Sequence, residues 1–116
     1  MNLQQCYSAL GGDYENVLKR LASERLVRKF VLRFPEDKSY KLLEESLRDN
    51  NIKEAFRAAH TIKGVCSNLS FDKLLQSAEN ITEALRSGDI DTAKTLFPAV
   101  ADDYQLTVSA INSLSE

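Results

Sequence analysis

The run Ile52-Lys53-Glu54-Ala55-Phe56-Arg57-Ala58-Ala59-His60-Thr61-Ile62-Lys63-Gly64-Val65-Cys66-Ser67-Asn68-Leu69 decides the fold. Its apolar positions Ile52, Ala55, Ala59, Ile62, Cys66 and Leu69 alternate spacings of three and four. That rhythm is a single helical stripe of the kind that packs as a seam in a helix bundle. Asn51, with Glu54 three residues on, predicts a capping box at the start of this helix. The only histidine of the chain, His60, lies off the stripe. At 100° per residue it sits roughly 130° from the stripe's centre, and Gly64 roughly 170°, so both are predicted to face solvent. Lys53, Arg57, Lys63 and Ser67 surround them, with Phe56 at the seam's edge.

Outward from this helix the pattern stays helical. Residues 2–10 read as a short amphipathic helix stopped by Gly11-Gly12, and Asp13 caps a second over 14–21 with Val17, Leu18 and Leu21 inward. Ser23 caps a third, with apolar positions Leu26, Val27, Phe30, Val31 and Phe34, and Pro35 ends it. Residues 38–48 carry Tyr40, Leu43 and Leu47 on one stripe, and Asp49-Asn50-Asn51 breaks the helix. After 52–69, Ser70 is expected to cap a helix over 71–87 with Leu74, Ala78, Ile81 and Leu85 on one stripe. Gly88 and Asp89 then supply a stop and a fresh cap. The last helical region carries Ile90, Ala93, Phe97, Val100, Tyr104, Val108, Ile111 and Leu114, and Pro98 is expected to kink or split it. No run alternates as a strand does, so no sheet is predicted. The expectation is an all-α fold and one domain over 1–116. Residues 38–114 form an antiparallel four-helix bundle, and the short helices of 1–36 cap it.

Composition narrows the function. The 116 residues are 43% hydrophobic, enough for one core, and carry a net charge of −2, which argues against nucleic-acid binding. No apolar run approaches the ~18 residues of a membrane span, and Met1-Asn2-Leu3-Gln4-Gln5 lacks the basic and apolar regions of a signal peptide. A cytoplasmic protein, monomeric and without membrane contact, is expected. Cys6 and Cys66 are too few and too far apart for a disulfide framework. No four ligands converge as a metal site, and Cys66 reads as a small buried residue. Glu44, Glu45, Arg48 and Asp49 read as a solvated face, as do the basic residues Arg25, Arg28, Lys29 and Arg33 of the third helix.

Gly64 asks for a reason, because a glycine inside an exposed helix costs ~1 kcal/mol relative to alanine. A large body approaching the helix beside His60 is one such reason. A lone solvent-facing histidine is usually just solvated. Beside it here, however, are a lysine at i+3 and a bare patch of backbone at i+4, and a neutral imidazole is nucleophilic near pH 7. The combination suggests phosphate chemistry with a docked protein.

His60-Thr61-Ile62-Lys63-Gly64 resembles the H-x-x-K-G motif of the histidine-containing phosphotransfer (HPt) family. The wider run Ala58 to Leu69 follows that family's A-H-x-L-K-G-x-(small)-(small)-x-L pattern, and Leu74, Ala78, Ile81 and Arg86-x-Gly88-Asp89 match its next helix and turn. The resemblance covers roughly 38–114. It implies a four-helix bundle that relays phosphoryl groups between aspartates of response-regulator receiver domains, possibly including the receiver of a hybrid sensor kinase. His60 would accept the phosphoryl group on Nε2, Lys63 would sit beside its oxygens as a point charge, and Gly64 would admit the receiver's loops. Phe56, Arg57, Ser67 and Thr82 would line the partner-facing surface. Two positions depart from the family. Ser70 stands where glycine is frequent. Thr82 stands where many members carry Gln or Glu, which can steady the imidazole. Gly11-Gly12-Asp13-Tyr14 and Arg20-Leu21 are similar to small free-standing bacterial HPt proteins. The start at Met1 fits that, although a piece of a larger sensor kinase would read the same.

The chain lacks a G-x-x-x-x-G-K-[ST] loop and any glycine-rich phosphate cradle, so it should not phosphorylate itself from ATP. It is expected to be a relay intermediate without a cofactor of its own, with Mg²⁺ carried by the receiver. The alternative is a helical adaptor that binds a receiver or another protein without carrying phosphate.

Overall fold

Gly11-Gly12 and Ala22-Ser23 break the front of the chain into short helices, and Pro35 stands in the turn that ends the third. The computed structural model describes residues 1–114. Among them are α1 (Leu3–Leu10), α2 (Tyr14–Leu21), α3 (Glu24–Arg33), a 3₁₀ turn (Phe34–Glu36), α4 (Ser39–Arg48), α5 (Ile52–Leu69), α6 (Asp72–Arg86) and α7 (Ile90–Asn112), and no strand. The capping chemistry explains most boundaries. Asn2 and Gln5 form a reciprocal capping box on α1, while the side chains of Asp13, Ser23, Asn51 and Asp89 each accept the backbone N–H three residues on. The box expected at Asn51 is only half made, because the Glu54 carboxylate pairs with Arg57 at 3.0 Å instead.

Helices α4 to α7 run up and down through tight turns. α4 packs on α5, α5 on α6 and α6 on α7, and α7 returns to α4. The predicted stripes form the core: Ala55, Ala59, Ile62, Cys66 and Leu69 on α5 and Leu74, Ala78, Ile81 and Leu85 on α6 are all buried. α7 continues unbroken from Ile90 to Asn112 through Pro98, so the expected split does not occur. Ala93 and Val100 are buried on either side, whereas Pro98 and Lys94 lie on the exposed face. Packing holds both halves in line, and water can take the carbonyl that lost its N–H partner.

The N-terminal helices dock on the α5–α6 turn and on α7. The Tyr7 hydroxyl donates to the Leu69 carbonyl at 2.7 Å, the Asp13 N–H to the Ser70 carbonyl at 2.9 Å and the Lys73 N–H to the Gly11 carbonyl at 3.1 Å. Lys73 also pairs with Asp103 at 2.6 Å, tying α6 to α7. An aromatic chain crosses the whole molecule: Phe97, Tyr40, Tyr104, Phe34, Phe71, Tyr7 and Tyr14 meet in sequence at centroid distances of 3.9–5.9 Å. It joins the bundle to its N-terminal cover.

α3 buries Val27 and Val31 against α2 and α5 but leaves Leu26 and Phe30 exposed. A groove of about 520 Å³ remains there, lined by Leu21, Phe30, Arg33, Phe34, Val65 and Asn68 among others.

Candidate functional site

The candidate site is a face of α5, and both helix ends hold that face in register. Asn51 caps the start. At the other end the Phe71 N–H closes on the Cys66 carbonyl at 2.9 Å, with Ser70 in the left-handed region at φ +57°. Ser70 therefore terminates α5 and does not cap α6, whose cap position is Phe71. The glycine frequent there in the HPt pattern has its reason in this backbone angle. Arg20 reaches over from α2 and donates to the carbonyls of Ser67 (2.5 Å) and Asn68 (2.8 Å) and to Ser70 Oγ (3.3 Å). A cation thus sits at the negative end of the helix dipole and occupies carbonyls the helix leaves open.

His60 is exposed. Among the described residues nothing hydrogen-bonds its ring nitrogens. The ring instead lies against Phe56, one turn earlier, with centroids 5.8 Å apart and planes 16° from parallel. Helical side chains lean toward the N-terminus, so an imidazole at 60 falls over the turn of residue 56. By the same rule a side chain at 64 would fall over His60. Gly64 leaves that space empty. A Cβ built there meets nothing within 4 Å, so the protein's own packing does not require the glycine.

Around the ring the cations are uneven in their engagements. Lys63 is half-buried and makes no ion pair among the described residues, and it sits at i+3, on the same face as His60. Arg57 is exposed and paired with Glu54. Arg86, from α6, lies 5.2 Å from the centroid of Phe56 and pairs with Glu83 at 3.3 Å. Lys53 and Arg57 complete a hollow of about 390 Å³ over Ile52, Phe56 and Leu85. The Arg86 contact was not legible from the sequence. Its signal would have been the register of the α5–α6 hairpin, which pairs 56 with 86 across the turn.

Of the remaining expected surface residues, Ser67 is exposed and Phe56 half-buried on this face. Thr82 requires a correction. It is fully enclosed, and its hydroxyl donates to the Ala78 carbonyl at 2.6 Å. It has no surface to offer a partner, and its bonded hydroxyl is not available to the imidazole. No three His, Cys, Asp or Glu residues cluster as a metal site among the described residues. Cys66 is buried, and burial pushes its thiol up to about 12. No described helix is long and apolar enough to cross a membrane.

An exposed lone histidine, a lysine one turn on with no ion pair among the described residues, and a cleared backbone make up the candidate site. The sequence model of the Hpt domain matches residues 25–110. The chain belongs to the Hpt domain family. Hpt domains are phosphotransfer intermediates of two-component signalling rather than autonomous kinases, and they interact with response-regulator receiver domains. The match begins in α3, upstream of the residue 38 expected from the motif, and leaves α1 and α2 outside it. No curated protein and no solved structure matches the chain.

Proposed function

We propose that His60 accepts a phosphoryl group from the aspartate of one receiver domain and passes it to another. The observation that carries this reading is the imidazole's setting: outside the bundle, its nitrogens without a hydrogen bond among the described residues, with open space over Gly64. In the forward step the Nε2 lone pair forms the N–P bond as the aspartyl O–P bond breaks, and the carboxylate leaves with the bonding electrons. The reverse step regenerates the imidazole. Transfer of this kind depends mainly on alignment and on charge stabilisation. Lys63 supplies one cation to the phosphoryl oxygens, while the receiver contributes its aspartate and Mg²⁺.

Charge and shape support a receiver as the partner. Lys53, Arg57, Lys63 and Arg86 make the face locally positive on a chain of net charge −2, which complements an acidic phosphorylation pocket. Asn68 lies one turn beyond Gly64 and opens onto the apolar groove at Phe30 and Val65, so the docking surface continues from the histidine into an apolar strip.

The test is incubation with a phosphorylated receiver and detection of acid-labile label on this chain. Wild type is expected to become labelled and His60→Ala to stay blank. Equal labelling of the two overturns the assignment, and a receiver that binds without labelling either identifies the adaptor reading instead.

A further inference from the structure

We infer that Phe56, itself held by Arg86, is the positioning residue that fixes the plane of the His60 imidazole. This rests on the phosphotransfer reading above and adds to it the device that aims the nucleophile. A surface histidine is otherwise loosely oriented: in a helix two χ1 wells are open to it, and χ2 is broad and two-fold. Attack on phosphorus needs Nε2 in line with the breaking bond, so a wandering ring is misaligned for much of the time. Thr82 does not restrain it, being enclosed and bonded to Ala78. The near-parallel contact with Phe56, 5.8 Å between centroids, is the contact that restrains the imidazole. Among the described residues no hydrogen bond takes either ring nitrogen, so the contact leaves both to the partner.

Phe56 can impose an orientation because it has one. Its ring packs against the buried core on one side, and the guanidinium of Arg86 stands 5.2 Å from its centroid. Arg86 is in turn held by Glu83 at 3.3 Å. Glu83, Arg86, Phe56 and His60 thus form a continuous line from α6 to the nucleophile. The cation touches the aromatic ring rather than the imidazole, so it stiffens the support without engaging the nitrogen that must react.

Because His60 is the chain's only histidine, its ring protons can be followed by NMR without ambiguity. In wild type they are expected upfield of those of a histidine in an unstructured peptide, shielded by the Phe56 ring. Phe56→Leu keeps the apolar contact with the core and should return them toward the peptide position. Phe56→Tyr should restore the upfield position, and the exposed substitution Arg86→Gln should give an intermediate one. With a phosphorylated receiver as donor, Phe56→Leu should lower kcat about fourfold with KM unchanged, the loss expected when one orientation in roughly four is productive, and Phe56→Tyr should recover it. Unchanged His60 shifts in a folded Phe56→Leu protein overturn the inference, as does a rise in KM at constant kcat, which would make Phe56 a docking contact. If Phe56→Leu does not fold, Arg86→Gln decides, and shifts identical to wild type count against the line. Should wild type take up no phosphate at all, the relay reading fails while the NMR arm still decides the ring geometry.

Discussion

Gly12 lies so close to the Ser70 carbonyl that a Cβ on it would stand 2.7 Å from that oxygen. The same atom would lie 2.7 Å from the Tyr7 ring. The contact is the seam where the N-terminal helices meet the end of the helix that carries His60, and backbone rather than a flexible side chain forms one wall of it.

Gly12→Ala should therefore destabilise the protein by about 2 kcal/mol, the scale of overpacking a tight site. Gly88 offers the contrast. It holds φ +79° in open space, so Gly88→Ala carries only the left-handed penalty of about 1 kcal/mol. Urea unfolding of the two variants checks the order, which reverses if the N-terminal helices dock loosely.

Ser70 is a non-glycine residue in the left-handed region, at φ +57°. Ser70→Gly relieves that conformation and loses only the 3.3 Å contact from Arg20, which keeps its two backbone carbonyls. A gain of about 0.5–1 kcal/mol is expected, seen as a higher urea midpoint at constant slope. A lower midpoint would mean that the Arg20 contact outweighs the backbone strain.

What the sequence made legible was local. The stripe from Ile52 to Leu69, the caps at Asp13, Ser23 and Asp89 and the exposed setting of His60 each depend on residues within a turn or two of one another. Ser70 reads as a cap in the sequence because serine is a good one by side-chain chemistry, whereas the backbone angle decides its role. Thr82 reads as surface in the sequence because a motif position carries no information on burial when the residue type changes. The stack of Tyr40 on Tyr104, at 3.9 Å and 2° between planes, and the reach of Arg86 to Phe56 depend on the register between helices. A single sequence does not encode that register in any short pattern.

Alkali should unfold the protein through groups buried in that core. Burial pushes the Cys66 thiol up from 9.0 to about 12. It also raises the Tyr7 phenol, whose proton is committed to the Leu69 carbonyl. A raised acid stays protonated in the folded state while the unfolded chain ionises. Above the ordinary thiol value the unfolded state therefore binds fewer protons, and stability falls as pH rises. The slope is about 1.4 kcal/mol per pH unit for each such group. Urea midpoints measured from pH 8 to 11 should decline, and Cys66→Ala should decline less steeply. A flat profile in wild type would contradict the burial of both groups.

Gly64→Gln separates stability from transfer by sign. The position is exposed and a Cβ there meets nothing, so the substitution costs no packing and replaces a poor helix former with a good one. The fold should gain about 0.5–1 kcal/mol. The new side chain leans toward the N-terminus, over His60, and occupies the space through which a receiver's pocket would approach. Phosphoryl uptake from a receiver should slow at least tenfold, a loss of about 1.4 kcal/mol in transition-state stabilisation. Free imidazole chemistry at His60 should change less, because a small phosphoramidate donor needs no docking surface. Thermal unfolding, receiver-dependent labelling and phosphoramidate labelling of the same preparation check all three. If Gly64→Gln slowed both donors equally, the glycine would be clearing the imidazole for any phosphoryl group rather than for a protein. If it slowed neither, the bare backbone beside His60 would have no role in transfer.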